Sequence, residues 1–163
     1  MSIVDPLSRE LSAVTDATAA DLEGILKLQY LCYQSEAQRY DFWGIPALTQ
    51  SMASIAEDLA VKPMPVIRLD GEVVGSVRGE LVEGTFHIGR LVVHPRVQRR
   101  GLGRRLLAAV EQRAGAADRF EVYTGYRSTE FLGLYQACGY QPFKHEQVTD
   151  RLRLTYLEKP ARP

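Results

Sequence analysis

The feature that most constrains this sequence is residues 85–115, where an apolar strand leads through a glycine-containing turn into a helix. The apolar residues Phe86, Ile88, Leu91, Val92 and Val93 predict a strand over Thr85–Val93. After Gly101-Leu102-Gly103, apolar residues recur at helical spacing, at Leu106, Leu107, Val110 and Ala114. A strand that enters a helix through such a turn is typical of a phosphate-binding site.

The chemistry of this turn favours a bound anion. The first turn of a helix has backbone N–H groups without intrahelical partners, and the peptide dipoles place partial positive charge there. Gly101 and Gly103 have no Cβ atom that would keep phosphate oxygens away from the backbone. Guanidinium groups, which suit phosphate, surround the turn at Arg99, Arg100, Arg104 and Arg105. The alternative is a solvated basic loop that contains two glycines.

Two nucleotide-binding motifs fit the turn poorly. A dinucleotide fingerprint needs a third glycine where this chain has Leu106, and its first glycine follows the strand directly, whereas residues 94–100 intervene here. A Walker-type loop ends in Gly-Lys-Ser/Thr, but Gly103 is followed by Arg104. We therefore expect a phosphate ligand of another kind.

The hexapeptide Gln98-Arg99-Arg100-Gly101-Leu102-Gly103 resembles motif A of the GNAT superfamily of N-acetyltransferases, Gln/Arg-x-x-Gly-x-Gly/Ala. Leu91-Val92-Val93-His94-Pro95 precedes it at the spacing that the family uses, and Tyr135-Gln136-Ala137-Cys138-Gly139-Tyr140 is similar to the family's Tyr-x-x-x-Gly-Phe/Tyr ending. The resemblance covers residues 11–156. It implies that acetyl-CoA is the cosubstrate and binds at Leu91, Val92, Val93, Gln98, Arg99, Arg100, Gly101, Leu102, Gly103, Arg104, Ser128 and Tyr135.

The remaining patterns predict a GNAT-like α/β fold. About seven strands form a mixed, mostly antiparallel twisted sheet with four helices, and the resemblance implies a splay between strands 4 and 5. Hairpin turns at Asp70-Gly71 and Glu83-Gly84 connect three antiparallel strands. The other strands are expected at residues 10–15, 120–124, 141–145 and 151–157. Helices are expected from Thr18 to about Cys32, after a cap at Thr49, after the motif, and from a cap at Ser128 to a stop at Gly139.

Length and charge favour one domain over residues 1–163, with 1–9 as a flexible N-terminal extension. The chain has 163 residues, is 45% hydrophobic, and balances 20 basic against 20 acidic residues. Zero net charge and the absence of interleaved aromatics argue against nucleic acid as a partner of the arginine cluster. No apolar signal region or membrane span is apparent, and the two cysteines, Cys32 and Cys138, fall in separate predicted helices. We expect a reduced, cytoplasmic protein, monomeric or homodimeric.

The resemblance implies roles for two side chains. Tyr135 occupies the family's general-acid position, although a core aromatic at helical spacing is the alternative. His87 lies four residues before Leu91, where several family members carry the general base, and imidazole suits that task. A lone histidine on a strand is more often structural, and a bulge would turn it away, so Glu80, Glu36 and Tyr33 remain substitutes. The oxyanion would be bound by a main-chain N–H near Leu91.

The predicted function is acetyl-CoA-dependent transfer of an acetyl group to a primary amine of a small molecule or peptide, by direct attack in a ternary complex. Neither Cys32 nor Cys138 lies in a context that favours an acetyl-enzyme, and no metal is expected. The alternative is a catalytically silent acyl-CoA-binding or regulatory domain. The resemblance implies that the aromatic-rich segment 33–46 lies over the acceptor site, and the alternative is a satellite hydrophobic cluster under a long loop. Its pattern does not encode which amine is bound.

Overall fold

A seven-stranded mixed sheet with four α-helices forms the described part of the protein, residues 11–161 of a computed structural model. Its strand order is β1-β2-β3-β4-β5-β7-β6, and every neighbouring pair is antiparallel except β4 and β5. The strands are β1 Thr15–Asp16, β2 Pro65–Leu69, β3 Glu72–Val82, β4 Thr85–Val93, β5 Arg119–Gly125, β6 Gln141–Gln147 and β7 Arg153–Pro160. This architecture confirms the predicted fold. The predicted extension at residues 1–9 lies outside the described residues.

The four helices are α1 Leu22–Tyr40, α2 Met52–Val61, α3 Leu102–Glu111 and α4 Thr129–Ala137. Two buried clusters join them to the sheet: α3 and α4 share one with the strands, and α1 and α2 share the other. Consecutive strand residues such as Val73 and Val74 fall in different clusters, so the clusters lie on opposite faces of the sheet. Within residues 11–161, no helix is long and apolar enough to cross a membrane.

Both predicted hairpin turns are present and determine the register of the central strands. Asp70 and Gly71 have φ values of 51° and 81°, and Glu83 and Gly84 have values of 48° and 84°. Two successive residues with positive φ are typical of the type I′ turn, whose twist matches that of the adjoining strands. The second hairpin pairs Val82 with Thr85 and therefore brings Glu80 opposite His87.

Helix α1 is longer than predicted, because it continues to Tyr40 instead of ending near Cys32. Residues 33–40 of the segment 33–46 are therefore helical, and the predicted end of the helix near Cys32 was wrong. Ala37 and Tyr40 are buried there, and the Tyr40 hydroxyl accepts a hydrogen bond from the Arg127 N–H at 2.9 Å. That partner lies 87 residues away in the chain, so no local pattern indicates the extension.

Three smaller predictions were wrong in whole or in part. The cap of α2 is Ser51, whose hydroxyl oxygen accepts from the Ser54 N–H at 3.1 Å, whereas Thr49 ends a short 3₁₀ turn. Ser128 is the N-cap residue of α4, as predicted, but its side chain makes no capping hydrogen bond. The first strand covers only Thr15–Asp16, because Leu11 contributes a single isolated bridge to Leu69.

Candidate active site

Strands β4 and β5 are paired only at their beginnings. Three pairs join them, the last between His87 and Glu121, and beyond this point the two strands part. Each continues to pair on its other edge, β4 with β3 as far as Val93 and β5 with β7 as far as Gly125. Beyond His87 and Glu121, the facing edges of β4 and β5 are therefore not paired with each other. This separation is the predicted splay.

A β-bulge lies in the splayed part of β4. Ser76 is opposite Val92 and Arg78 is opposite Gly89, so β4 contains one more residue than β3 over this interval. Arg90 has a φ of 54°, a left-handed conformation that is uncommon for a residue with a side chain. After the bulge, Leu91 belongs to the buried cluster of α3, and Val92 belongs to that of α1.

A cavity of about 600 Å³ lies at the splay. Four of the predicted site residues line it, namely His87, Leu91, Val92 and Tyr135. Aromatic and aliphatic walls come largely from Tyr33, Tyr40, Phe42, Ile45, Tyr123 and Phe131, and charged side chains come from Glu36, Asp58, Lys62, Arg78, Glu80 and Arg90. The other predicted cofactor-binding residues, Val93, Ser128 and 98–104, are not among the lining residues.

The imidazole of His87 is held at the point where the strands part. Its Nδ1 atom lies 3.2 Å from Oε2 of Glu121, and the Arg119 guanidinium donates to Oε1 of the same carboxylate at 3.0 Å. A carboxylate beside Nδ1 favours the tautomer with the proton on that atom, which leaves the Nε2 lone pair available. The His87 side chain is 46% exposed, so Nε2 can meet an incoming substrate.

The phenol of Tyr135 is buried between two other aromatic rings. It stacks on Phe131, with ring centroids 6.3 Å apart, and meets Tyr140 edge-on at 5.9 Å. Burial raises the pKa of Tyr135 well above its ordinary value. Among residues 11–161, none makes a hydrogen bond to its hydroxyl. The group is therefore a protonated donor whose hydroxyl is available to a ligand.

The substitute bases differ in how available they are. Burial raises the pKa of Tyr33 to about 12, so its phenolate is a minor species at neutral pH. Glu36 accepts hydrogen bonds from Ser128 at 2.6 Å and from Arg39 at 3.2 Å. Glu80 is half exposed and lies 3.6 Å from the Lys62 ammonium. Of the three, Glu80 is the side chain most available to act as a base.

The glycine turn before α3 has the space that an anion requires. Gly101 is the N-cap residue of α3 with a φ of 77°, and a Cβ atom built on it would meet no atom within 4 Å. Gly103 has a different role, because a Cβ atom there would lie 3.2 Å from Cδ2 of Leu134, on α4. The Gln98 side chain donates to the Val93 carbonyl at 3.1 Å and so connects the turn to the end of β4.

Ser128 is fully buried, and its hydroxyl already has partners. It donates to Glu36 at 2.6 Å and lies 2.8 Å from the Tyr40 hydroxyl. A bond from Ser128 to a pantetheine arm would require one of these contacts to be exchanged, and that role stays a prediction.

Both cysteines are free thiols. Burial raises the pKa of Cys32 to about 11, and its Sγ atom lies 3.5 Å from the Val93 carbonyl oxygen. A thiol that remains protonated at neutral pH is a poor nucleophile. The structure therefore offers no support for an acetyl-enzyme at Cys32.

Sequence reasoning missed two residues of the site. Glu121 is recognisable only once the parallel register brings it beside His87. Arg90 left a detectable signal, because Ile88 and Leu91 are both apolar and three residues apart, which breaks the two-residue period of a strand.

The chain belongs to the acetyltransferase (GNAT) family, whose profile matches residues 22–140. It is 33% identical over 131 residues to the UPF0157 protein YqkA of Bacillus subtilis, a match that covers 80% of this chain but only 38% of that protein. The fold is similar to that of yncA from Salmonella typhimurium with its cofactor acetyl-CoA, with a TM-score of 0.71, 19% identity, and coverage of 93% and 94% of the two chains. A ribosomal-protein-alanine N-acetyltransferase from Brucella melitensis is likewise similar, with a TM-score of 0.71, 18% identity, and coverage of 91% and 99%.

Proposed function

We propose that this protein transfers an acetyl group from acetyl-CoA to a primary amine of a small molecule or peptide. The observation that carries this proposal is the parting of β4 and β5 immediately after the His87–Glu121 pair, which opens a cavity lined by His87, Tyr135 and the free edge of β4. Family membership supports acetyl transfer as the reaction class. Acetyl-CoA in the yncA structure supports the choice of cosubstrate.

The residues present fit acetyl-CoA. The open space at Gly101 and the N-terminal N–H groups of α3 suit the pyrophosphate, with Gln98, Arg99, Arg100, Leu102, Gly103 and Arg104 around it. The parted edge of β4 offers backbone groups at Leu91 and Val93 to the amides of the pantetheine arm, as an added strand would use them, and Val92 lies between the two. When bound, acetyl-CoA supplies an activated thioester, and the task of the chain is to align it with the amine.

Two side chains of the cavity, His87 and Tyr135, would carry out the proton transfers. His87 accepts the proton of the acceptor ammonium at Nε2, and the Glu121 carboxylate stabilises the imidazolium that results. Tyr135 keeps its proton at neutral pH and can donate a hydrogen bond to the departing sulfur. Burial also raises the pKa of the departing thiol in the same surroundings. The pKa values of the phenol and the thiol therefore rise together, and the phenol can still serve as the proton donor. The Leu91 N–H is the candidate donor to the developing oxyanion.

The test is an amine panel assayed with acetyl-CoA, with release of free CoA as the readout. We expect saturable turnover in both substrates and initial-rate lines that intersect, as a ternary complex requires. Parallel lines would contradict direct attack, since they are the kinetic signature of a covalent acetyl-enzyme. Tight CoA binding without turnover of any amine would instead favour the acyl-CoA-binding alternative.

A further inference from the structure

Arg90 differs from the other two cations that line the cavity. Lys62 and Arg78 both pair with Asp58, at 3.0 Å and 2.9 Å. Arg90 makes no ion pair within residues 11–161, and this sets it apart. Its Nε atom is buried without a hydrogen-bond partner, as is the Nε atom of Arg78. A buried donor on a charged group is costly to leave unsatisfied, and a guanidinium is best satisfied by a carboxylate that accepts two parallel hydrogen bonds.

No acidic side chain of the cavity is available to neutralise Arg90. Asp58 serves Lys62 and Arg78, Glu80 lies beside Lys62, and Glu36 is engaged by Ser128 and Arg39. Tyr33, whose pKa is raised to about 12 by burial, is neutral at physiological pH and supplies no negative charge. Of the cations that line the cavity, Arg90 is therefore the one without an acidic partner among residues 11–161, and an anionic ligand would supply that partner.

We propose that Arg90 binds a carboxylate carried by the acceptor, so that the preferred acceptor is an amino acid or another amine with a nearby carboxylate. This inference rests on the proposed function, since it describes the acceptor of the same reaction. His87 and Arg90 come from one strand and line one cavity, so a single ligand can present its amine to the first and its carboxylate to the second. The walls formed by Phe42 and Ile45 suit an apolar or aromatic side chain on that amino acid.

A carboxylate could also belong to the acyl donor, as in succinyl-CoA. The Arg90 guanidinium would then select the acyl chain instead of the acceptor. The two sources share one chemistry and are separated by varying the donor and the acceptor independently.

The experiment compares kcat/KM for L-phenylalanine and L-leucine with kcat/KM for their amides, at saturating acetyl-CoA. The amides lack the charge but keep the side chain, and their amines lose a proton more readily, so the comparison is biased against the proposal. We expect the acids to be preferred by about tenfold or more, the scale of a hydrogen bond to a charged group. The variant Arg90→Gln should lose this preference, and Arg90→Lys should retain part of it, because it keeps the charge without the fork.

Lys27→Gln is the matched control, since it removes one positive charge from a side chain that is 75% exposed on α1. It should keep the wild-type preference. Equal rates for acids and amides in the wild type, or an unchanged preference in Arg90→Gln, would overturn the proposal. A preference for succinyl-CoA over acetyl-CoA that disappears in Arg90→Gln would also overturn it, because the carboxylate would then belong to the donor.

A binding measurement keeps this inference separate from the proposed function. N-acetyl-L-phenylalanine and its amide are titrated calorimetrically into CoA-saturated protein. If no amine is turned over, the proposed activity fails, yet a preference for the acid that depends on Arg90 would still assign the carboxylate site. Equal affinity for the acid and the amide would contradict the proposed carboxylate site.

Discussion

The phosphate turn can be tested with two glycines that have nearly the same positive φ. Gly101 has a φ of 77° and Gly71 a φ of 81°, and a Cβ atom would meet no atom within 4 Å at either position. Gly71 lies in the β2–β3 hairpin turn, whereas Gly101 is the N-cap residue of α3. Gly101→Ala and Gly71→Ala should therefore have the same conformational cost and differ only in what the new methyl group obstructs.

The stability cost follows from the left-handed conformation. A residue with a Cβ atom is destabilised by roughly 1–2 kcal/mol in this conformation. The lower entropy of the unfolded chain with alanine stabilises the folded state by about 0.4–1 kcal/mol and offsets part of that cost. Each variant should thus lose about 1 kcal/mol of unfolding free energy, or about 2–4 °C in Tm for a domain of this size. Because neither methyl group meets a neighbour, no clash adds to this cost.

The binding cost should appear at one site only. The Gly101→Ala methyl group projects into space that we assign to phosphate oxygens, and losing one hydrogen bond to a charged group costs about 1.5–3 kcal/mol. We expect the Kd for CoA to rise at least about tenfold in Gly101→Ala and to stay at the wild-type value in Gly71→Ala. Calorimetric titration measures both. Equal CoA affinity in the two variants would refute the assignment of the turn.

Three further predictions concern the proton-transfer groups and one structural ion pair. His87→Gln should reduce turnover by about 10²–10⁴-fold with CoA affinity unchanged, and undiminished turnover would move the base to Glu80. Tyr135→Phe should lower turnover by at least about tenfold and leave Tm unchanged, because no hydrogen bond to its hydroxyl is lost within residues 11–161. A lower Tm would indicate that the hydroxyl has a structural role. Hydrogen bonds from Arg68 hold the pKa of Asp21 below its ordinary value, so their stabilisation is present at neutral pH and is lost as pH falls through that lowered value. Asp21→Asn should cost about 2 kcal/mol in urea unfolding at pH 7, and the difference from wild type should shrink below about pH 4; a constant difference would contradict the linkage.

Local patterns predicted the elements whose causes are local. The two type I′ turns are encoded in Asp70-Gly71 and Glu83-Gly84, and the motif helix follows from its own apolar spacing. The extension of α1 to Tyr40 depends on contacts with Arg127 and Ser128, which the fold brings from the far end of the chain. The long-range partners of the candidate site escaped prediction for the same reason.

The bulge at Arg90 illustrates how the core determines the site. In a regular strand, position 90 would share the face of Ile88 and face the apolar cluster of α3. Burying an unpaired guanidinium there would cost several kcal/mol, whereas the left-handed conformation at the bulge costs only about 1–2 kcal/mol. The bulge is therefore the arrangement of lower free energy. It places Leu91 in the α3 cluster, and Arg90 lines the cavity. For the same reason Gln is the informative replacement at this position, because an apolar residue could enter the core, relax the bulge and move Leu91 and Val92 to the opposite faces of the sheet.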